Sequence, residues 1–149
     1  MRVETLADGA VTRVVHGSLL TDTSGEGFLD ITAPIGRWLT GIGAGEGVLS
    51  VFVRHTTASL TVQENADPRV LADLVDGLDR VAPRSARYRH SEEGPDDMPG
   101  HIKAMLCGPS LTLPVVDGAL HWGAWQNIYL IEHRDAPRER EVLLSFLGN

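Results

Sequence analysis

The last third of the chain most constrains what it can fold into. Three runs rich in β-branched and aromatic residues, SLTLPV, AWQNIYLIEH and REREVLLSFLG, follow one another with no helical pattern between them. Strands joined by short connections pair antiparallel, because a parallel pair needs a crossover of about a dozen residues or more. An Asp117-Gly118 pair after the first run predicts a tight hairpin there. Upstream, AVTRVVHGSLL, GFLDIT, GVLSVFVRH and ASLTVQ also read as strands. In ASLTVQ, Leu60 and Val62 take one face and Ser59, Thr61 and Gln63 the other.

Helical periodicity is confined to three segments. APIGRWLTGIG starts at Thr32 or Ala33, carries Pro34 in its first turn, and repeats Ile35, Trp38, Leu39 and Ile42. NADPRVLADLVDGLDRVAP has Asp67 as N-cap, Pro68 at the first helical position, and a stripe of Leu71, Leu74, Val75, Leu78 and Val81 ended by Pro83. MPGHIKAMLCG places Pro99 in its first turn, Asp97 as cap and Gly108 as stop. The predicted fold is α+β: a single domain over residues 1–149, with an antiparallel-rich, β-sandwich-like sheet of about seven strands and two or three helices.

Composition excludes several functions. A chain of 149 residues with 42% apolar and 22% charged residues can bury one core. A net charge of −7 with no Lys/Arg run lacks the electrostatic footprint of a nucleic-acid binder. The single cysteine, Cys107 in the apolar run AMLCG, allows no internal disulfide and reads as a small buried hydrophobe, not a nucleophile. No apolar run approaches the ~18 residues of a membrane span, and MRVETLADGAV has no apolar signal region, so a soluble cytoplasmic protein is expected. The glycine-rich GIGAGEG precedes a strand and not a helix, so it reads as a turn, not a phosphate loop.

The chemistry-bearing residues gather in four stretches. His55 ends a strand on the face of Leu49, Val51 and Val53; it reads as a rim histidine or, with the Thr56 and Thr57 hydroxyls and turn amides, as an anion site. Gln63 to Asn65 read as a solvated turn or as a site with Glu64 as base or metal ligand. YRHSEEGPDDMPGHIK packs His90, Glu93, Asp97, His101 and Lys103 into a segment rich in proline and glycine. It reads as an acidic surface loop, as a metal site of imidazole and carboxylate, or as an anion site at a helix start. In GAWQNIYLIEH, Trp125 reads as core or as a stacking platform, and Glu132 shares the face of Ile128 and Leu130, where a carboxylate must be paired. His16 and His121 have no convergent neighbours.

VRHTTASLTVQENADP, YRHSEEGPDDMPGHIKAMLCGPSLTLPV, GAWQNIYLIEH and VLLSFLGN together resemble the YjbQ-like family, which is identified with a secondary thiamine-phosphate synthase activity. The likeness runs from about residue 10 to the end, and GPDDMPGHIK is its most specific block. One departure is Ala124, where the family usually has threonine; it removes a hydroxyl. The resemblance implies a homotrimer binding a small phosphorylated metabolite near a subunit boundary. It implies a metal set of His55, His90 and His101 with Glu93 and Asp97. It also implies catalytic roles for His55, Glu64, Asn65, Lys103 and Glu132, and substrate contacts from Thr56, Thr57, Ser59, Trp125 and Gln126. The implied reaction joins hydroxymethylpyrimidine diphosphate to thiazole phosphate. Imidazole ligands favour zinc, nickel or iron, whereas diphosphate chemistry favours magnesium held by Glu93, Asp97 or Glu64. Two other functions stay open: a histidine-metal hydrolase or lyase on a small phosphorylated or carboxylated metabolite, and a non-enzymatic trimer that binds metal or metabolite.

Overall fold

A computed structural model describes residues 1–149. Eleven elements follow in order: β1 (Arg13–Thr23), β2 (Gly27–Asp30), α1 (Thr32–Gly41), β3 (Gly47–Val53), β4 (Ala58–Glu64), α2 (Pro68–Val81), α3 (Asp97–Cys107), β5 (Ser110–Val116), β6 (Ala119–Leu120), β7 (Gln126–Glu132) and β8 (Arg138–Gly148). They form a single α+β domain of two sheets, one of five strands in the order β1-β8-β3-β5-β6 and one of three in the order β2-β7-β4. Every strand pair is antiparallel.

Side-chain parity sets the register. In β8, Val142, Leu144 and Phe146 point inward opposite Val53, Val51 and Leu49 of β3, and all six are buried. A slip of one residue would turn all three β8 residues to solvent. From the three-stranded sheet, Leu60, Ile128 and Leu130 meet this face, and Ile31, Ile35 and Leu39 join the same core. No helix is long and apolar enough to cross a membrane.

Local signals explain most element ends. Asp67 accepts the Arg69 N–H at 2.9 Å and Pro68 opens α2, as expected. The α1 start is held one step earlier than a cap would sit, by Asp30 accepting the Thr32 N–H at 2.8 Å. The hairpin after β5 has positive φ at both Asp117 (50°) and Gly118 (76°), the requirement of a type I′ turn. Its return strand is only the two residues of β6, an eighth strand beyond the seven expected. The following run, β7, leaves for the other sheet, so consecutive strands here are not sheet neighbours.

Two expectations are corrected. Asp97 does not cap α3: it lies within the first turn, its side chain buried, and the preceding Asp96 makes no side-chain cap bond. The α2 stripe forms, but no residue of that helix is fully buried and Val81 is 61% exposed. The helix lies along β2 and α3 at the margin of the small sheet, where little covers it.

Candidate metal centre

The segment from Tyr88 to Lys103 folds its two histidines onto one carboxylate. Asp97 and His101 stand one helical turn apart on α3, so they share a face. The loop before the helix turns at Gly94, whose φ of 106° suits glycine, and brings His90 back to the same point. His90 Nε2 lies 3.0 Å and His101 Nε2 3.5 Å from Asp97 Oδ2. The three ligand atoms all fall within 4.8 Å of one another. The imidazoles are part-exposed, with 48% and 36% of their side chains accessible, and the Asp97 side chain is only 1% exposed.

Asp97 is held from behind. Its Oδ1 pairs with Arg134 Nη1. Arg134 also donates from Nε to Asp96 Oδ2 at 2.9 Å and from Nη2 to the Glu93 carbonyl at 2.8 Å. Gly100 lets α3 come this close, since a Cβ there would stand 3.3 Å from Thr57 Cβ and 3.4 Å from Arg134 Cδ. The remaining Asp97 oxygen, Oδ2, is buried and has no hydrogen-bond partner, although His90 Nε2 is at contact distance. A buried carboxylate oxygen left unsatisfied between two imidazole nitrogens costs about 1–3 kcal/mol or more unless something completes it.

The residues expected in one pocket divide into three groups. The first is this open centre. His101 lines a cavity of about 300 Å³ with His55, Thr56 and Met105, and His90 lines another of about 490 Å³ with Arg87, Ser91 and Met98. His55 stands outside the cluster of His90, Asp97 and His101. Its Nε2 accepts the Glu141 N–H at 2.9 Å, so the neutral ring carries its proton on Nδ1 and keeps no free lone pair. Burial, then the charge of Arg140, lowers its pKa and keeps it neutral. Glu93 is exposed and lies 3.9 Å from Arg134.

The second group is a buried ionic network that spans the two sheets. Lys103, expected to grip an anion, is 1% exposed and paired with Glu26 and Asp79. Glu132 is equally buried; it accepts from Arg140 at 2.6 and 2.7 Å, from Thr23 Oγ1 at 2.8 Å and from the Arg134 N–H at 2.9 Å. Burial raises its pKa, but the Arg140, Arg134 and Thr23 bonds outweigh burial and hold the carboxyl below its usual range. Such a group is a strut and a poor base. Thr57 Oγ1 accepts from Arg140 at 3.1 Å, Ser59 Oγ lies 2.8 Å from His133 Nε2, and neither residue lines the cavities beside His90 and His101. Burial pushes the neighbouring Cys107 thiol up, which fits a structural cysteine.

The third group is a groove of about 450 Å³ lined by Gln63, Glu64, Ala66, Trp125 and Gln126. It shares no residue with the cavities beside His90 and His101.

Sequence reasoning missed Arg134, Arg140, Asp96, Glu26 and Asp79. One signal was available: Arg140 has the inward parity of Val142, Leu144 and Phe146, so a charge sits on a core face and demands a buried partner. Arg134 lies in the turn after β7, where no periodicity applies.

A model of the UPF0047 protein YjbQ-like family matches residues 18–149. A UPF0047 protein of Synechocystis is 41% identical over 144 residues, 96% of this chain and 98% of its own length. YjbQ of Salmonella typhimurium is 44% identical over 123 residues, 82% of this chain and 89% of its own. Among solved structures, a YbjQ-like protein of unknown function from Sulfolobus solfataricus superposes with a TM-score of 0.85 at 27% identity, covering 92% of this chain and 99% of that one. A hypothetical protein from Aeropyrum pernix does so at 0.83 and 34%, covering 91% and 99%. The fold, the length and the sequence agree, and the chain belongs to the YjbQ-like UPF0047 family.

Proposed function

We propose that the protein is a metal-dependent enzyme acting on a small anionic metabolite, with His90, Asp97 and His101 as the metal ligands. The observation that carries this reading is the orphaned Asp97 Oδ2, buried and aimed between two imidazole nitrogens. Two imidazoles and a carboxylate suit a borderline divalent ion such as zinc, iron or nickel better than magnesium, which prefers oxygen. Three protein ligands leave coordination positions open, as catalytic sites do. A bound ion would supply Lewis-acid polarisation of a substrate oxygen. The chain's own residues do the rest: Arg134 fixes the Asp97 carboxylate, and Arg87 and Ser91 line the cavity beside His90, where an anionic group would find a guanidinium and a hydroxyl.

Elemental analysis and titration test it. Near one equivalent of transition metal per chain is expected, and Asp97→Ala is expected to weaken uptake by more than the roughly 10–100-fold typical of losing a group that only orients a ligand. No metal after gentle purification, and none taken up with micromolar affinity, would sink the reading. Joining hydroxymethylpyrimidine diphosphate to thiazole phosphate is one reaction within this class, and the Arg87 wall supports a phosphorylated substrate. Incubation of the loaded protein with both precursors decides: product lost in His101→Ala supports it. Binding of metabolites with no turnover across a panel would favour a binding protein instead.

Self-association belongs to the same proposal. The outer face of the five-stranded sheet exposes Val14, Val48, Phe52 and Leu147, where a solvated antiparallel sheet would be polar. A further cavity lined by Phe52, His55, Thr56 and Pro109 links this face to the cavity of His101, so a second copy docked there would wall the site. Light scattering is expected at three times the 16.1 kDa of the chain; a clean monomer would remove this part.

A further inference from the structure

The groove between the end of β4 and the start of β7 has no place in that function. Its most conspicuous wall is Trp125, 68% exposed, whereas the other two tryptophans, Trp38 and Trp122, pack against the core. An exposed indole on a mobile loop would mean little, but this one is firmly mounted. The Trp125 carbonyl accepts the Asn65 N–H at 3.1 Å. The Asn65 amide donates to the carbonyl of Ala124 at 3.4 Å and to Asn127 Oδ1 at 2.9 Å. Gln126 Oε1 accepts the Gly123 N–H at 2.8 Å, closing the turn that carries the ring. The backbone on both sides of the indole is thus hydrogen-bonded while the indole itself stands in solvent.

Opposite it is the last residue of β4, Glu64, which pairs in register with Gln126. Its N–H donates to Gln63 Oε1 at 2.8 Å and its carbonyl accepts from Tyr129 at 3.3 Å, so its backbone is tied, while its carboxylate makes no bond within the chain. Because the Gln63 and Gln126 oxygens are both occupied, their NH₂ groups remain as donors. The lining holds one carboxylate and no cation. The nearby N-terminus of α2 would attract an anion, but Asp67 already caps it and is itself paired with Arg69. A π-face beside an unpaired carboxylate recognises a flat, positively charged group, by stacking and cation–π attraction on the ring and by N–H donation to the acid.

We infer that the Trp125–Glu64 groove is a second binding site, separate from the histidine–aspartate centre, for a planar nitrogen cation of the amidinium or protonated-heterocycle class. This inference does not rest on the metal reading, since no residue is shared.

The test is a titration of the full chain with benzamidinium, followed by tryptophan emission. Trp125 is the one exposed indole, so binding is expected to quench a red-shifted component saturably in the millimolar range, with benzoate giving no change. Glu64→Gln is expected to weaken binding about fivefold, as loss of a half-exposed ion pair does. Trp125→Ala, followed by ligand-observed NMR, is expected to weaken it about tenfold or more. Both positions are at the surface, so circular dichroism matching the parent confirms that the fold is kept. Adding zinc is expected to leave the curve in place. No saturable change, equal binding of benzoate, a Glu64→Gln curve matching the parent, or a curve moved by zinc each overturns the proposal.

Discussion

Arg140→Met is expected to destabilise the protein by about 3–5 kcal/mol, a large share of the whole stability of a domain this size. The guanidinium is 4% exposed and reaches Glu132, itself 1% exposed, from the facing sheet. Removing it leaves a buried carboxylate with only the Thr23 hydroxyl and the Arg134 N–H. The loss comes from the stranded charge and not from the pair being strong, because desolvation offsets much of a buried pair's attraction. Pairing Arg140→Met with Glu132→Gln is therefore expected to recover part of the stability. Urea unfolding of both variants checks this. A single variant within about 1 kcal/mol of the parent, or a double variant weaker than the single, would refute it.

Acid is expected to lower stability over two pH windows, or stages, the upper one set by His133. This imidazole is 1% exposed beside Ser59 Oγ. Burial, then the charges of Lys103 and Arg140, lower its pKa to about 4, with Glu132 pulling the other way. Between the ordinary value of 6.5 and about 4, the unfolded chain binds a proton that the folded chain refuses. Stability therefore falls as pH falls through that window, by roughly 3 kcal/mol at 1.36 kcal/mol per unit. His55, also lowered, adds to the same slope. Glu132 acts lower: its depressed carboxyl contributes stability that is full above the ordinary 4.5 and is lost as pH drops below it. Denaturant midpoints across this range are expected to show both stages. His133→Gln keeps a partner for Ser59 and removes the titration, so it should flatten the upper stage alone; an unchanged slope would refute the assignment.

Local rules placed α2 and β8 well, because a proline after an N-cap aspartate and a run of strand-forming residues from Val142 to Phe146 act over a few residues. The grouping of strands into two sheets was not legible, since β3 and β4, and again β7 and β8, are consecutive yet lie in different sheets. Local periodicity does not report that crossing. The centre at His90, Asp97 and His101 was partly legible from its loop and helix start. The spacing of Asp97 to Pro99 suits a cap, and only the tertiary position of Arg134 turns its carboxylate toward the histidines. A lysine beside a helix start, such as Lys103, likewise suits an anion. Its two acidic partners come from Glu26 and Asp79, far away in the chain, and no spacing rule connects them.

The position of β8 has a consequence for how the molecule is made. Residues 138–148 sit between β1 and β3, so the five-stranded sheet has its keystone at the latest-synthesised element of residues 1–149. Until that stretch leaves the ribosome, β1 has no partner and one edge of β3 lies open. Closing the sheet then joins residues more than a hundred positions apart, such as Arg13 and Gly148, in one late step. The unfinished chain therefore carries an open strand edge until its last strand emerges, and such edges favour association before folding is complete.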